Sequence, residues 1–224
     1  MNLPVRALLF DLDGTLIDTG DLHFHATVET LRTFGKFIDR DEYDQHIHGN
    51  NNTDIANYFF PGADANVHNT YVSTKENLFR SLLKPTPPLA GLRDVLDWAE
   101  ARDIPVGLVT NAPRDNTNAM LTALNLVGRF NPVVLGDELP RGKPDPLPFL
   151  TALEKLGVAP ENAIGFDDSG HGIRAVAAAG MFAVGLLSDV SEPDLMALGA
   201  DITITDYTDP VLLGILKERD PLIA

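Results

Sequence analysis

VRALLFDLDGT, Val5–Thr15, decides the fold: a nearly continuous apolar run from Val5 to Phe10 stops abruptly at Asp11, Leu12, Asp13, Gly14 and Thr15. A run that is apolar at successive positions, rather than at alternate ones, reads as a strand covered on both faces, as in a parallel sheet. Comparable runs recur at Ile104–Val109 (IPVGLV), Ala163–Phe166 (AIGF), Phe182–Leu187 (FAVGLL) and Asp201–Thr205 (DITIT), with a weaker one at Val133–Leu135. Helix-length segments separate them. Gly91–Arg102 places Leu92, Val95, Leu96 and Ala99 on one face, Leu147–Leu156 offers Leu147, Leu150 and Leu153, and Gly172–Ala179 is rich in Ala. Strands alternating with helices of this size predict an α/β fold, a doubly wound parallel sheet.

Residues from about Asp18 to Pro88 break the rhythm. They show no convincing strand, whereas Phe24, Val28 and Leu31 fall on one helical stripe and Val67, Tyr71, Thr74, Leu78 and Leu82 on another. The expectation is an all-helical insert over 18–87, with 1–17 and 88–224 forming the α/β core. The insert closes at KPTPP, Lys84–Pro88, where three prolines forbid a continuing helix.

Composition narrows the function. The 224 residues are 44% hydrophobic and 22% charged, a globular profile. Seventeen Lys and Arg against 32 Asp and Glu give a formal charge of −15, which disfavours nucleic acid and anionic membranes as partners. No cysteine is present, so disulfides, thiolate metal sites and a thiol nucleophile are excluded. The start, MNLPVRALLFDLDG, meets charge after a very short apolar run, and no later stretch approaches the roughly 18 apolar residues that span a bilayer. A cytoplasmic protein is expected.

In open α/β sheets ligands bind beyond the carboxyl ends of the strands, so polar residues that follow the apolar runs are the candidates. Four groups qualify: Asp11 and Asp13, Thr110 and Asn111, Lys143 in the loop RGKPDP, and Asp167 and Asp168. Carboxylates crowded at one edge repel one another unless a hard cation sits among them, and magnesium takes oxygen ligands while keeping positions for phosphate and water. A carboxylate there can attack phosphorus, with lysine and metal stabilising the transferring group.

These residues carry a resemblance. DLDGT (Asp11–Thr15), VTN (Val109–Asn111), GKPDP (Gly142–Pro146) and GFDDSGHGI (Gly165–Ile173) resemble the four ordered motifs of the haloacid dehalogenase superfamily. The insert is similar to the helical cap of its phosphoglycolate phosphatase and β-phosphoglucomutase branch. The resemblance implies a phosphomonoester hydrolase acting on a small phosphorylated metabolite through an aspartyl-phosphate, with Mg2+ as cofactor, as a monomer or weak homodimer. Asp11 would be the nucleophile and Asp13 the acid/base, contributing its carbonyl to the metal. Thr110 and the Asn111 amide would hold the phosphoryl group, Lys143 would neutralise charge, and Asp167 and Asp168 would complete the metal shell. Gly14 permits the tight turn of the first motif. Carbon–halogen hydrolysis is disfavoured, because the dehalogenase branch lacks an aspartate at the place of Asp13.

The resemblance leaves a mutase as the alternative. His23 either steers the acid/base, as a histidine does in the mutase branch, or is an ordinary helix residue. Arg114 either binds substrate phosphate or caps the helix region that follows. His46 and His48 read as loop residues, and Ser169 and Gly170 as caps for a helix near His171. In the β-phosphoglucomutase branch an arginine follows the cap-loop glycine by three residues. Here that position, three after Gly49, is Asn52, which offers hydrogen bonds but no charge. Lys75 and Arg80 read as the solvated face of their helix.

Overall fold

The computed structural model describes residues 3–47, 50, 52–188 and 190–223; His48 and Gly49 lie outside them. Each apolar run forms a strand: β1 (Ala7–Phe10), β2 (Val106–Thr110), β3 (Val133–Leu135), β4 (Ala163–Asp167), β5 (Phe182–Leu186) and β6 (Ile202–Ile204). In chain order the helices are α1 (Gly20–Thr33), α2 (Arg40–His46), α3 (Asn52–Phe59), α4 (Ala65–Leu82), α5 (Leu92–Glu100), α6 (Arg114–Ala123), α7 (Leu147–Leu156), α8 (Gly170–Ala178), α9 (Glu192–Ala197) and α10 (Pro210–Glu218).

The strands make one sheet, ordered β3-β2-β1-β4-β5-β6, with every pairing parallel. The direction of winding reverses between β1 and β4, and the carboxyl ends at such a switch point form the natural ligand crevice. β1 lies in the middle, and all four of its residues are fully buried, which explains why its sequence is apolar without alternation. Ala7 and Leu9 join Phe149, Ala152 and Leu153 of α7 and Ala175 and Val176 of α8 in one core cluster. Alternate residues point to the other face. There the Phe10 ring stacks on Phe166 at 4.6 Å, with Phe130 and Tyr207 about its rim.

The expected helices are present, with two changes of face. In α7 the buried residues are Pro148, Phe149, Ala152 and Leu153, while Leu150 is 40% exposed. In α4 the buried residues are Tyr71, Lys75, Glu76 and Phe79, so the stripe is rotated from the one read in the sequence. A buried Lys–Glu pair on the inner face is invisible to hydrophobic periodicity. In the sheet-bearing unit three helices carry no clear period: α6 is mostly polar, α9 has six residues, and α10 (PVLLGILKE) is apolar nearly all round.

The chain divides into two compact units, Met1–Asp18 with Pro85–Ala224, and Thr19–Lys84. The first holds the sheet. The second contains α1 to α4 around a core that includes Leu31, Tyr43, Ile55, Phe59 and Tyr71. Helix α4 ends at Leu82, and Leu83 is already extended (φ −61°, ψ 132°) before the proline-rich stretch begins. Among the described residues no helix is long and apolar enough to cross a membrane.

Candidate active site

Asp11 leaves the tip of β1 with its N–H still donating to the Phe166 carbonyl (2.9 Å), so the ladder fixes its backbone against β4. Three residues on, the chain turns sharply. Gly14 adopts φ +71°, and the loop closes through its N–H to the Ile17 carbonyl (2.8 Å). A Cβ at Gly14 would lie 1.9 Å from an Asp168 carboxylate oxygen, so only glycine allows the first motif to approach the last this closely. Asp13 is half-buried on this turn, more open to water than buried Asp11.

Asp167 ends β4 fully buried, and Asp168 follows it at 8% exposure. Ligand oxygens of Asp11, Asp167 and Asp168 lie within 4.8 Å of one another. Lys143 reaches into the group from the loop before α7. Its ammonium donates to Asp11 Oδ1 at 2.6 Å and to Asp167 Oδ2 at 2.7 Å. Three carboxylates and one ammonium leave a formal charge of −2 in a buried space. Burial, with repulsion from Asp167 and Asp168 against the pull of Lys143, drives the Asp11 carboxyl well above its ordinary range. Burial and then Asp167 push Asp168 up to about 7. Burial works against the Lys143 charge, but Asp11 and Asp167 outweigh it and hold the ammonium protonated. The donor set is all oxygen and its excess charge matches a divalent cation, so these residues fit a hard metal ion.

Surrounding groups hold each carboxylate. Asp167 Oδ1 accepts from the Ser169 N–H (3.0 Å) and hydroxyl (2.8 Å). Ser169 also caps α8 by accepting from the Gly172 N–H (2.9 Å), so it serves both cap and site. Asp168 accepts from the Thr15 hydroxyl on Oδ1 (3.3 Å) and the Ser188 hydroxyl on Oδ2 (2.8 Å). The buried Tyr207 hydroxyl donates to the Thr15 carbonyl (3.0 Å), tying the turn to the aromatic floor.

Thr110 is buried at the tip of β2, where its hydroxyl accepts from the Ala112 N–H (3.0 Å). The Asn111 side chain clamps the Lys143 backbone, donating to its carbonyl and accepting from its N–H, both at 3.2 Å. Arg114 opens α6 in a bidentate ion pair with Glu138 (2.7 and 2.5 Å), so its guanidinium is neutralised in this structure. Ser188, Tyr207, Glu138 and the clamping geometry of Asn111 were not anticipated from the sequence. Ser188 directly follows the FAVGLL run, and the rule that gathers polar residues after strands reaches it.

His23 and Asn52 belong to the helical unit. The His23 ring stacks on Phe79 at 4.0 Å, and Asn52 Oδ1 accepts from the Lys75 ammonium at 3.3 Å. Lys75 is not on a solvated face: it is buried and ion-paired with buried Glu76 at 2.7 Å. Arg80 donates to Asn77 on the exposed side of the helix (2.5 Å).

Residues 8–186 match the model of the haloacid dehalogenase-like hydrolase family. The phosphorylated carbohydrates phosphatase of Thermotoga maritima is 28% identical over 96% of this chain and 99% of its own length. The β-phosphoglucomutase of Bacillus subtilis is 30% identical over 96% of this chain and 95% of its own. The structure of CbbY from Rhodobacter sphaeroides in complex with phosphate superposes with a TM-score of 0.84, at 26% identity over 95% of this chain and 99% of that one. The switch-point carboxylates, the lysine between them and these similarities together make this chain an enzyme of the haloacid dehalogenase-like hydrolase family.

Proposed function

We propose that this enzyme is a magnesium-dependent phosphatase of small phosphorylated metabolites, phosphosugars foremost, working through an aspartyl-phosphate on Asp11. The observation that carries the reading is the buried cluster of Asp11, Asp167 and Asp168 bridged by Lys143. Asp11, Asp168, Asp167 and the Asp13 carbonyl would hold the cation. When bound, magnesium supplies charge neutralisation and Lewis-acid polarisation of the phosphoryl oxygens.

The protein groups do the rest. An Asp11 oxygen attacks phosphorus as the ester P–O bond breaks, and Asp13 gives its proton to the departing alkoxide. Water then attacks the phosphorus of the acyl-phosphate, passes its proton to Asp13, and releases phosphate and the Asp11 carboxylate. The half-exposed setting of Asp13 suits a group that exchanges protons with water, while Lys143 and the bound cation would offset the burial of Asp11 and keep it ionised for attack. Lys143 counters charge on Asp11 and on the incoming phosphoryl. The Thr110 hydroxyl, with its proton available, and the backbone N–H of Asn111 would orient the phosphoryl oxygens. The Asn111 side chain acts on Lys143.

Hydrolysis is preferred to mutase chemistry because a mutase must grip a second phosphate group, which calls for unpaired Arg or Lys donors. In the helical unit Asn52 stands where the mutase branch has arginine, and Lys75 is compensated by Glu76. The experiment is incubation with β-glucose 1-phosphate and a bisphosphate activator. Free phosphate should appear faster than glucose 6-phosphate; the reverse order would make the enzyme a mutase. A screen of phosphorylated metabolites ranked by kcat/KM then names the substrate.

A further inference from the structure

Ser188 lies outside the four motifs, in the turn after β5, yet it touches the centre of the site. Parallel pairing sets Asp167 of β4 opposite Gly185 of β5, so the residues leaving the two strands run side by side. The Ser188 N–H donates to the Leu186 carbonyl (3.1 Å), which shapes the turn, and its hydroxyl donates to Asp168 Oδ2 at 2.8 Å. Asp168 needs such a hold. Its neighbours Asp11 and Asp167 repel it, and its own rotamer freedom would let it swing out of the cluster. The Thr15 hydroxyl anchors the other oxygen at the longer distance of 3.3 Å.

We propose that Ser188 is a positioning residue for the divalent cation: its hydroxyl keeps the Asp168 carboxylate turned into the cluster, so that the site is formed before the cation arrives. The inference rests on the magnesium reading given under the proposed function. Each carboxylate oxygen has two acceptor directions, so the hydroxyl and a cation can share Asp168. Groups that orient metal ligands in this way typically change affinity by about 10–100-fold when removed. The exposed position of Ser188 lets water replace part of the hydrogen bond, which sets the expectation at the lower end.

The test measures magnesium binding by calorimetry without substrate, on the full chain and on Ser188→Ala and Ser188→Thr. Affinity should fall about tenfold in Ser188→Ala and return in Ser188→Thr. The magnesium concentration giving half-maximal hydrolysis of an aryl phosphate should move by the same factor. In chelator any fall of the thermal midpoint in Ser188→Ala should be small, because water reaches the freed carboxylate oxygen, and it should be recovered in Ser188→Thr. Equal magnesium affinity in wild type and Ser188→Ala would overturn the positioning role while leaving the magnesium reading intact. A lower midpoint in Ser188→Ala with no recovery in Ser188→Thr would make the residue structural and overturn it too. Wild type that binds no magnesium at millimolar concentration would overturn both inferences together.

Discussion

Replacing Gly172 by alanine adds one methyl group on the first turn of α8, and the structure says where it goes. The new Cβ would lie 1.8 Å from Asp167 Cγ and 1.9 Å from each carboxylate oxygen. To bring that contact past 3.0 Å the carboxylate must retreat by about 1 Å or more, or the helix must lift away. Asp167 cannot retreat freely, since it accepts from Lys143 at 2.7 Å and from the Ser169 N–H and hydroxyl at 3.0 and 2.8 Å. Losing the buried ion pair from one side costs about 3–5 kcal/mol, and overpacking alone costs roughly 1–3 kcal/mol. A destabilisation of about 3 kcal/mol, read from urea unfolding, is therefore expected. A displacement of this size at the site should also lower kcat/KM for an aryl phosphate by about 100-fold. The matched control is Gly214→Ala in α10, where an added Cβ meets nothing within 4 Å; helix propensity predicts a gain of roughly 0.5–1 kcal/mol and unaltered kinetics. If Gly172→Ala keeps wild-type stability and turnover, the close packing of α8 on Asp167 is not what organises this site.

Lys143→Met should abolish turnover and destabilise the fold by about 3–5 kcal/mol, since it strands Asp11 and Asp167 without their shared cation; urea unfolding and phosphate release check both. The metal-free protein should lose stability as pH rises. Burial and Asp167 push the folded Asp168 carboxyl up to about 7, above its unfolded value, so its contribution is full below the unfolded range of about 4 and is lost as pH rises through about 7. Thermal midpoints in chelator across this range should fall, and magnesium at pH 7 should restore them by mass action. Asn111→Ala should lower kcat more than it raises KM, because it releases the loop that carries Lys143 without removing the backbone N–H at 111.

The core of this account was legible because its signals are local. Six apolar runs mark the strands and three of them end at Asp11, Thr110 and Asp167, and burial on both faces makes such runs visible without an alternating pattern. Asp11, Lys143, Asp167 and Asp168 were gathered by one rule about strand ends, and the structure brings these four together. The contacts of Ser188, Tyr207 and Glu138 were less legible, since each acts through a partner far away in sequence: Asp168, Thr15 and Arg114. Lys75 misled for a related reason. Its position on an amphipathic helix favoured solvent, but Glu76 next to it neutralises the charge, and the pair is buried. The glycine at 172 looked like part of an Ala-rich helix, and only the position of the Asp167 carboxylate reveals why a methyl group does not fit there.

The central claim is that Asp11 becomes phosphorylated. The direct measurement is rapid acid quench of the enzyme turning over an aryl phosphate with magnesium, followed by borohydride reduction and peptide mass spectrometry. Reduction converts an acyl-phosphate to an alcohol, so homoserine should appear at position 11 in wild type, and none should form in Asp11→Asn, whose amide cannot yield the acyl-phosphate. Homoserine at another aspartate, or an Asp11→Asn protein that still turns over with deamidation excluded, would contradict the account.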